Sequence, residues 1–367
     1  MGACGLRKER LLIRRRITPQ KDDKNIRKGL LIMRKKIGIA IIGCGEISSY
    51  HVQALRLIPE ADIRVFCDIE EEKAKSLAGG DADFETDYKK VIVRRDIDIV
   101  FVLTSNDFHC EIAMAAANEK KNIFVQKPFA RTVSECKQII DAAERNGVKL
   151  FVSFMHRYFE ESKWAKAYIG SGQLGEIYLC HIRNSLPGSD YSAWQYNTEQ
   201  CGAGGAIIDV GVHGIDLVRY LLGDIDDVLY AVKGQKIHER KIKGHTIIPD
   251  NEDWAVAQYR MKNSAMVTHH ISWVQKWHCN RYTMEIHGSK GSIYLRTGYG
   301  PLAVTSPSLS KAGNMVFPAL PTTPFGYAQH REVIDCLLYD REPQCTGKDG
   351  LYTIKIVNKI LDIAQTL

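Results

Sequence analysis

The stretch DVGVHGID, residues 209–216, sets Asp209, His213 and Asp216 among residues that are otherwise apolar or glycine. If residues 206–222 form a helix, these three and Tyr220 stand at i, i+4, i+7 and i+11, one narrow stripe. Ile208, Val212, Ile215 and Leu222 flank it on one side and Val210, Leu217, Val218 and Leu221 on the other. The helix is therefore apolar nearly all round, and its stripe is buried or faces a cleft. Burying an acid beside an imidazole is unfavourable unless both find partners. The pair either fixes helix packing or moves protons. The preceding GAGG, whose glycines let backbone approach a ligand, favours proton transfer.

Lys127, in FVQKPF, follows an apolar run with Pro128 fixing the turn behind it. That is the carboxyl edge at which parallel sheets bind ligands. In GCGEIS, Gly43 and Gly45 hold the first two positions of a G-x-G-x-x-G turn and Ser48 the third, with a helix starting near Glu46 and Ile47. Such a turn lets a pyrophosphate approach the backbone at a helix N-terminus. Asp68 closes the next strand, 25 residues beyond Gly43. A carboxylate there accepts hydrogen bonds from both adenosine ribose hydroxyls and repels a 2′-phosphate, and neither Ile69 nor Glu70 supplies a cation for one. The pattern favours NAD over NADP; the alternative is that Asp68 merely caps the following helix.

The elements that must position these groups change character along the chain. From Ile37, apolar runs in IGIAIIG, DIRVFCD, DIDIVFVLT, NIFVQ and KLFVSF alternate with stretches of helical spacing. Runs without period-two alternation suit strands buried on both faces, which implies a doubly wound parallel sheet. After Phe154 a helix is predicted over FEESKWAKAYIGSG. EIYLCHIR, DVLYAVKGQ, DWAVAQYRM, AMVTHHISWV, YTMEIHG and GSIYLRTG read as strands of a mostly antiparallel sheet with one face covered. Two helices close the chain, and residues 299–324, rich in Pro and Ser, read as a long irregular loop.

The length, 367 residues, suffices for two domains, and 45% hydrophobic with 25% charged residues is a soluble globular composition. Ten cysteines form no CxxC pair, so no metal site or disulfide framework is indicated, and reduced thiols in a cytoplasm are expected. The formal charge of +7 is concentrated in residues 1–36, which hold 13 Lys and Arg. The remainder has 37 basic and 40 acidic residues, too balanced for nucleic acid to be the partner. Residues 1–34 read as a basic N-terminal extension or an arm, with Met33 a possible alternative start. No stretch reaches the roughly 18 continuous apolar residues of a membrane span.

With these motifs in order, the chain after residue 35 resembles the Gfo/Idh/MocA family, the group of glucose-fructose oxidoreductase, inositol dehydrogenase and rhizopine-catabolism proteins. The likeness rests on GIAIIGCGEIS with Asp68, on TSNDFHCEIAMAA for T-x-N-x-x-H, on VQKPFA for E-K-P, and on GGAIIDVGVHGIDLVRYLLG for G-G-x-x-x-D-x-G-x-H-x-x-D. It implies an NAD-binding Rossmann domain over 35–155 and an α+β domain over 156–367 whose large, open, mostly antiparallel sheet makes a homo-oligomer. It implies a catalytic set of Lys127, Asp209 and His213, with Thr104, Asn106 and His109 bordering the nicotinamide half of the cofactor. Gln126 stands where the family carries glutamate, which bears on cofactor affinity, and Ser105 where proline is common.

The expected chemistry is oxidation of a secondary hydroxyl on a sugar, glycoside or cyclitol, for example C3 of a pyranoside. His213 would be the general base and Lys127 the group favouring the alkoxide, while Asp209 orients the sugar. Arg157 and the loop aromatics Tyr191, Trp194 and Tyr196 are candidates for holding substrate. The rival readings are a glycoside-cleaving enzyme that oxidises transiently with tightly held NAD, a non-catalytic NAD sensor, and a nucleic-acid binder acting through the basic arm.

Overall fold

The computed structural model describes residues 35–275 and 282–367; the basic extension lies outside them. Six parallel strands make the first sheet: β1 (Ile37–Ile42), β2 (Ala61–Cys67), β3 (Asp83–Glu85), β4 (Ile99–Val102), β5 (Asn122–Gln126) and β6 (Leu150–Ser153), in the order β3-β2-β1-β4-β5-β6. Between them run α1 (Glu46–Arg56), α2 (Glu71–Ala78), α3 (Tyr88–Ile92), α4 (Asn106–Asn118) and α5 (Val133–Asn146). Every position of β1, β4 and β6 is buried, because continuous apolar runs find helices on both faces. The order reverses between β1 and β4, which opens a crevice at their carboxyl ends. The edge strand β3 was not anticipated: three residues, two of them exposed, carry no periodic signal.

Beyond α6 (Glu160–Gly170) lies the second sheet, built from β7 (Ile177–Ser185), β8 (Ile225–Gly234), β11 (Trp254–Met261), β12 (Met266–Ser272), β13 (Thr283–Gly288), β14 (Gly291–Arg296), β15 (Leu302–Thr305) and β16 (Gln365–Thr366). Its order is β15-β14-β13-β7-β12-β11-β8-β16, antiparallel except at β7/β12 and β8/β16. A separate hairpin joins β9 (Arg240–Ile242) to β10 (His245–Ile247). The stretch expected to be irregular at 299–324 thus supplies one edge strand, β15.

Between β7 and β8 come α7 (Thr198–Cys201), a five-residue π-turn (Ile207–Gly211) and α8 (Val212–Leu222). The chain closes with α9 (Tyr327–Tyr339) and α10 (Gly347–Ile363). Helices α6, α8 and α10 cover one face of the second sheet, and the other face points outward with Tyr178 and Tyr230 exposed. The two last helices also return to the first sheet, α9 against α1 and α10 against α5. Val333, Ile334 and Cys336 of α9 thereby share a core with Ile39, Phe101 and Phe124.

Candidate active site

Lys127 leaves β5 and spans to the π-turn. Its Nζ donates to the carboxylate Oδ1 of Asp209 at 2.5 Å and to the Asp209 carbonyl at 3.0 Å. Both side chains are mostly covered, at 15% and 19% exposure, so the pair is shielded from water and from salt more than a surface bridge is. The other carboxylate oxygen accepts the indole N–H of Trp273 at 3.0 Å. Trp273 is fully buried at the end of β12, so this bond holds the carboxylate plane firmly.

The segment expected to be one regular helix starts instead as a π-turn, an insertion that rotates the residues before it relative to those after it. The predicted single stripe is therefore split. Asp209 turns to Lys127 and Trp273, and His213, the second residue of α8, has its ring 4.7 Å from that of His156 and 6.2 Å from Tyr282. Asp216 points inward to Arg157. Gly214 lets α8 lie against β12, since a Cβ there would sit 2.3 Å from the His269 ring.

At the head of the crevice, Gly43 has φ +96°, and a Cβ would meet the Leu103 carbonyl at 2.6 Å. Only glycine fits the bend that joins β1 to α1. Gly45 starts α1 with no side-chain cap, and a Cβ there would meet nothing within 4 Å. Asp68 accepts from the Cys44 amide at 2.8 Å and the Glu70 amide at 2.9 Å. It braces the glycine turn and does not serve as the N-cap of α2, which is Glu70.

Comparison with known proteins agrees with this fold. Residues 37–154 match the oxidoreductase family with an NAD-binding Rossmann fold, and residues 162–294 match the GFO/IDH/MocA C-terminal domain. The chain belongs to the Gfo/Idh/MocA family. A levoglucosan dehydrogenase of Pseudarthrobacter phenanthrenivorans is 31% identical over 66% of this chain and 67% of that enzyme. An inositol 2-dehydrogenase of Salmonella typhimurium is 30% identical over 50% of this chain, a match that spans about half, 54%, of that enzyme. The solved levoglucosan dehydrogenase in complex with NADH and L-sorbose superposes with a TM-score of 0.81 at 25% identity, covering 89% of this chain and 96% of the other.

As a Gfo/Idh/MocA member the protein is an oxidoreductase with NAD as its cofactor. The residues present fit that group: a glycine turn that a Cβ would block, uncapped helix amides, and a carboxylate beyond β2. Glu46 is exposed and Ile47 half-buried on the first turn of α1. Thr104 is half-buried after β4, its hydroxyl donating to the Ser105 carbonyl, and Gln126 is buried with its side-chain oxygen accepting the Lys127 amide.

Two of the expected cofactor neighbours also hold backbone in place. Asn106 is buried and donates to the Cys201 carbonyl, tying α4 to the loop before the π-turn. His109 is fully buried with its ring nitrogens on the Pro128 and Thr104 carbonyls, so it locks the turn that carries Lys127. Burial pushes its pKa down despite those carbonyls.

Arg157 is the clearest correction. It is 6% exposed and spends its guanidinium on Asp216, Asp349 and the Gln344 carbonyl, which removes it from any substrate. The reason lies in α8 and α10, whose acids Asp216 and Asp349 need a cation at that depth. Arg219 completes the cluster on Asp349 and Asp224.

The loop aromatics divide. Tyr191 is exposed, its pKa raised by burial and by the charges of Asp209 and Glu46. Trp194 is half-buried, whereas Tyr196 is buried, donates to the Ser189 carbonyl and packs edge-on against Trp273.

Three positions escaped the sequence reading. Trp273 carried no signal in its own strand pattern. His156 stands just past the carboxyl end of β6, the same kind of position that singled out Lys127. Glu252, in the acidic run PDNEDW, is 7% exposed, and one of its oxygens accepts the Gly205 amide at 2.7 Å and the Ile207 amide at 3.0 Å. A buried carboxylate thus caps the segment that carries Asp209.

Proposed function

We propose that the protein oxidises a secondary hydroxyl of a sugar, glycoside or cyclitol, C3 of a pyranoside being one concrete version, with His213 as general base and Lys127 stabilising the alkoxide. The observation that carries this reading is the Lys127–Asp209 contact, pinned by Trp273, at the start of the helix that bears His213. NAD, when bound, supplies the hydride acceptor. Lys127 has three N–H donors and spends two on Asp209, leaving one for a substrate oxygen. That donor favours the oxygen as its proton leaves. His213 takes the proton, and the remaining lone pairs of Asp209 accept a neighbouring hydroxyl and set the ring's orientation. The relatives named for levoglucosan and inositol act on polyhydroxylated rings, which supports this substrate class. The outward face of the second sheet, with Tyr178 and Tyr230 exposed, supports a homo-oligomer through that sheet.

The test is a screen of sugars, inositols and glycosides with NAD, following absorbance of reduced nicotinamide and analysing products. A stoichiometric ketone and NADH are expected. Release of a free aglycone without net NADH would replace simple oxidation with the glycoside-cleaving route, and His213→Ala with near-normal turnover would remove His213 from the role of base.

A further inference from the structure

The Asp209 carboxylate is divided between two donors. Its Oδ1 accepts from the Lys127 ammonium at 2.5 Å, and its Oδ2 accepts from the Trp273 indole N–H at 3.0 Å. The second ammonium N–H goes to the Asp209 carbonyl at 3.0 Å and not to Oδ2. Of the two donors the ammonium is the stronger partner for a carboxylate, because both groups are then ionised. Some group must therefore keep Oδ2 from Lys127, and the indole is the one that occupies it.

Trp273 is held in that position by partners of its own. It is 1% exposed just past β12, its amide donates to the Asp253 carbonyl at 2.7 Å, and its carbonyl accepts from Arg240 at 3.2 Å. Its ring meets Tyr196 edge-on at 5.3 Å. The Tyr196 hydroxyl donates to the Ser189 carbonyl, and the Arg240 guanidinium lies over the Tyr196 ring. Backbone and ring are thus fixed by different contacts, and together they aim the indole N–H at Oδ2.

The consequence follows from counting donors. An ammonium has three N–H groups. With Oδ2 taken by the indole, two of them meet Asp209 and one remains. With Oδ2 released, all three can meet Asp209 and none remains. We infer that Trp273 is a positioning residue whose indole N–H stops the Lys127–Asp209 pair from closing through both carboxylate oxygens, so that the ammonium keeps a donor for the reacting oxygen. The catalytic part of this inference rests on the proposed oxidation; the division of the carboxylate does not.

The test is Trp273→Phe, which keeps an aromatic ring beside Tyr196 and removes the single N–H. The full-length natural and substituted proteins are treated with acetic anhydride, and acetylation of Lys127 is followed by mass spectrometry, with Lys348, 80% exposed, as the reference. Closure of the pair predicts that Lys127 reacts about tenfold more slowly in Trp273→Phe, roughly the factor that one further charged hydrogen bond implies. A substitution that merely loosened the site would uncover the amine and speed its reaction. An equal or faster rate overturns the inference. Trp273→Leu, which also lacks a donor, is expected to show the same slowing and replaces Trp273→Phe if that variant does not fold. A second arm uses a sugar that the natural protein oxidises, with kcat/KM measured for Trp273→Phe, Asp209→Asn and the double variant. A residue that acts through Asp209 predicts that the double variant loses no more than Asp209→Asn alone, and losses that multiply overturn the positioning role. Absence of turnover with every sugar sinks the oxidation, while the acetylation rate still decides whether Trp273 keeps the pair from closing.

Discussion

Glu252 offers the sharpest test of how the candidate site is held. Its Oε1 accepts two backbone amides, Gly205 and Ile207, at the start of the segment that presents Asp209, whose own amide bonds back to Gly205. Glu252→Ala leaves both buried N–H groups without an acceptor, at about 1–3 kcal/mol each, so a loss of about 2–6 kcal/mol is expected in urea unfolding. Glu252→Gln keeps an acceptor oxygen but not its charge, which about halves the strength of each bond. It also removes the cost of burying a carboxylate, so its net effect at neutral pH is expected within about 1 kcal/mol of the natural protein. The two substitutions also differ in pH dependence. Burial raises the Glu252 pKa, against the pull of the two amides. A carboxyl with a raised folded-state pKa holds its proton more tightly folded than unfolded. Its stabilisation is therefore complete below the ordinary glutamate range and is lost as pH rises through the elevated value. Subtracting the Glu252→Gln curve from that of the natural protein cancels every other titrating group and isolates that fall. If Glu252→Ala unfolds within about 0.5 kcal/mol of the natural protein, or the difference curve is flat, the buried cap is not what holds the π-turn in place.

Asp209→Asn presents an amide to two donors, Lys127 and Trp273, so one of them loses its acceptor. At about 1.5–3 kcal/mol, kcat/KM is expected to fall by about 10- to 150-fold, read from initial rates of NADH formation. His213→Gln is expected to cost about two to four orders of magnitude in kcat with NADH affinity retained, measured by rates and by quenching of protein fluorescence. Gly43→Ala places a Cβ 2.6 Å from the Leu103 carbonyl at a φ of +96°, so a lower Tm and NADH binding weaker by about 5- to 150-fold are expected, what about 1–3 kcal/mol of strain implies. Asp216→Asn removes the bidentate partner of Arg157 and is expected to cost about 3 kcal/mol of unfolding free energy, with Asp349 compensating in part. Burial pushes Asp216 up to about 6 despite Arg157, so this group's contribution is lost as pH rises from near 3.8 through about 6, and the substituted protein lacks that loss.

What could be read without coordinates divides along a physical line. The buried strands of the first sheet and the long alternating strands of the second announce themselves, because burial on two faces or one imposes a pattern within each segment. The residues proposed to carry the chemistry, Lys127, Asp209 and His213, stand out for the opposite reason: they interrupt an apolar context that has no structural use for them. The contacts that hold these groups join positions far apart in the chain: Trp273 to Asp209, Glu252 to Gly205, Asn106 to Cys201. No local spacing encodes such a contact, since each partner satisfies its own strand or loop equally well before the two meet. Arg157 was misread by the same logic. A cation beside a predicted cleft has two ways to find an acid, and only the fold reveals that α8 and α10 each bring one inward. The π-turn belongs here too. Its extra residue leaves the sequence period unchanged but turns Asp209 away from Asp216, so that one carboxylate faces Lys127 and the other stays in the core. A register shift within one turn is thus what separates an acid paired with Lys127 at the candidate site from an acid that holds the helix down.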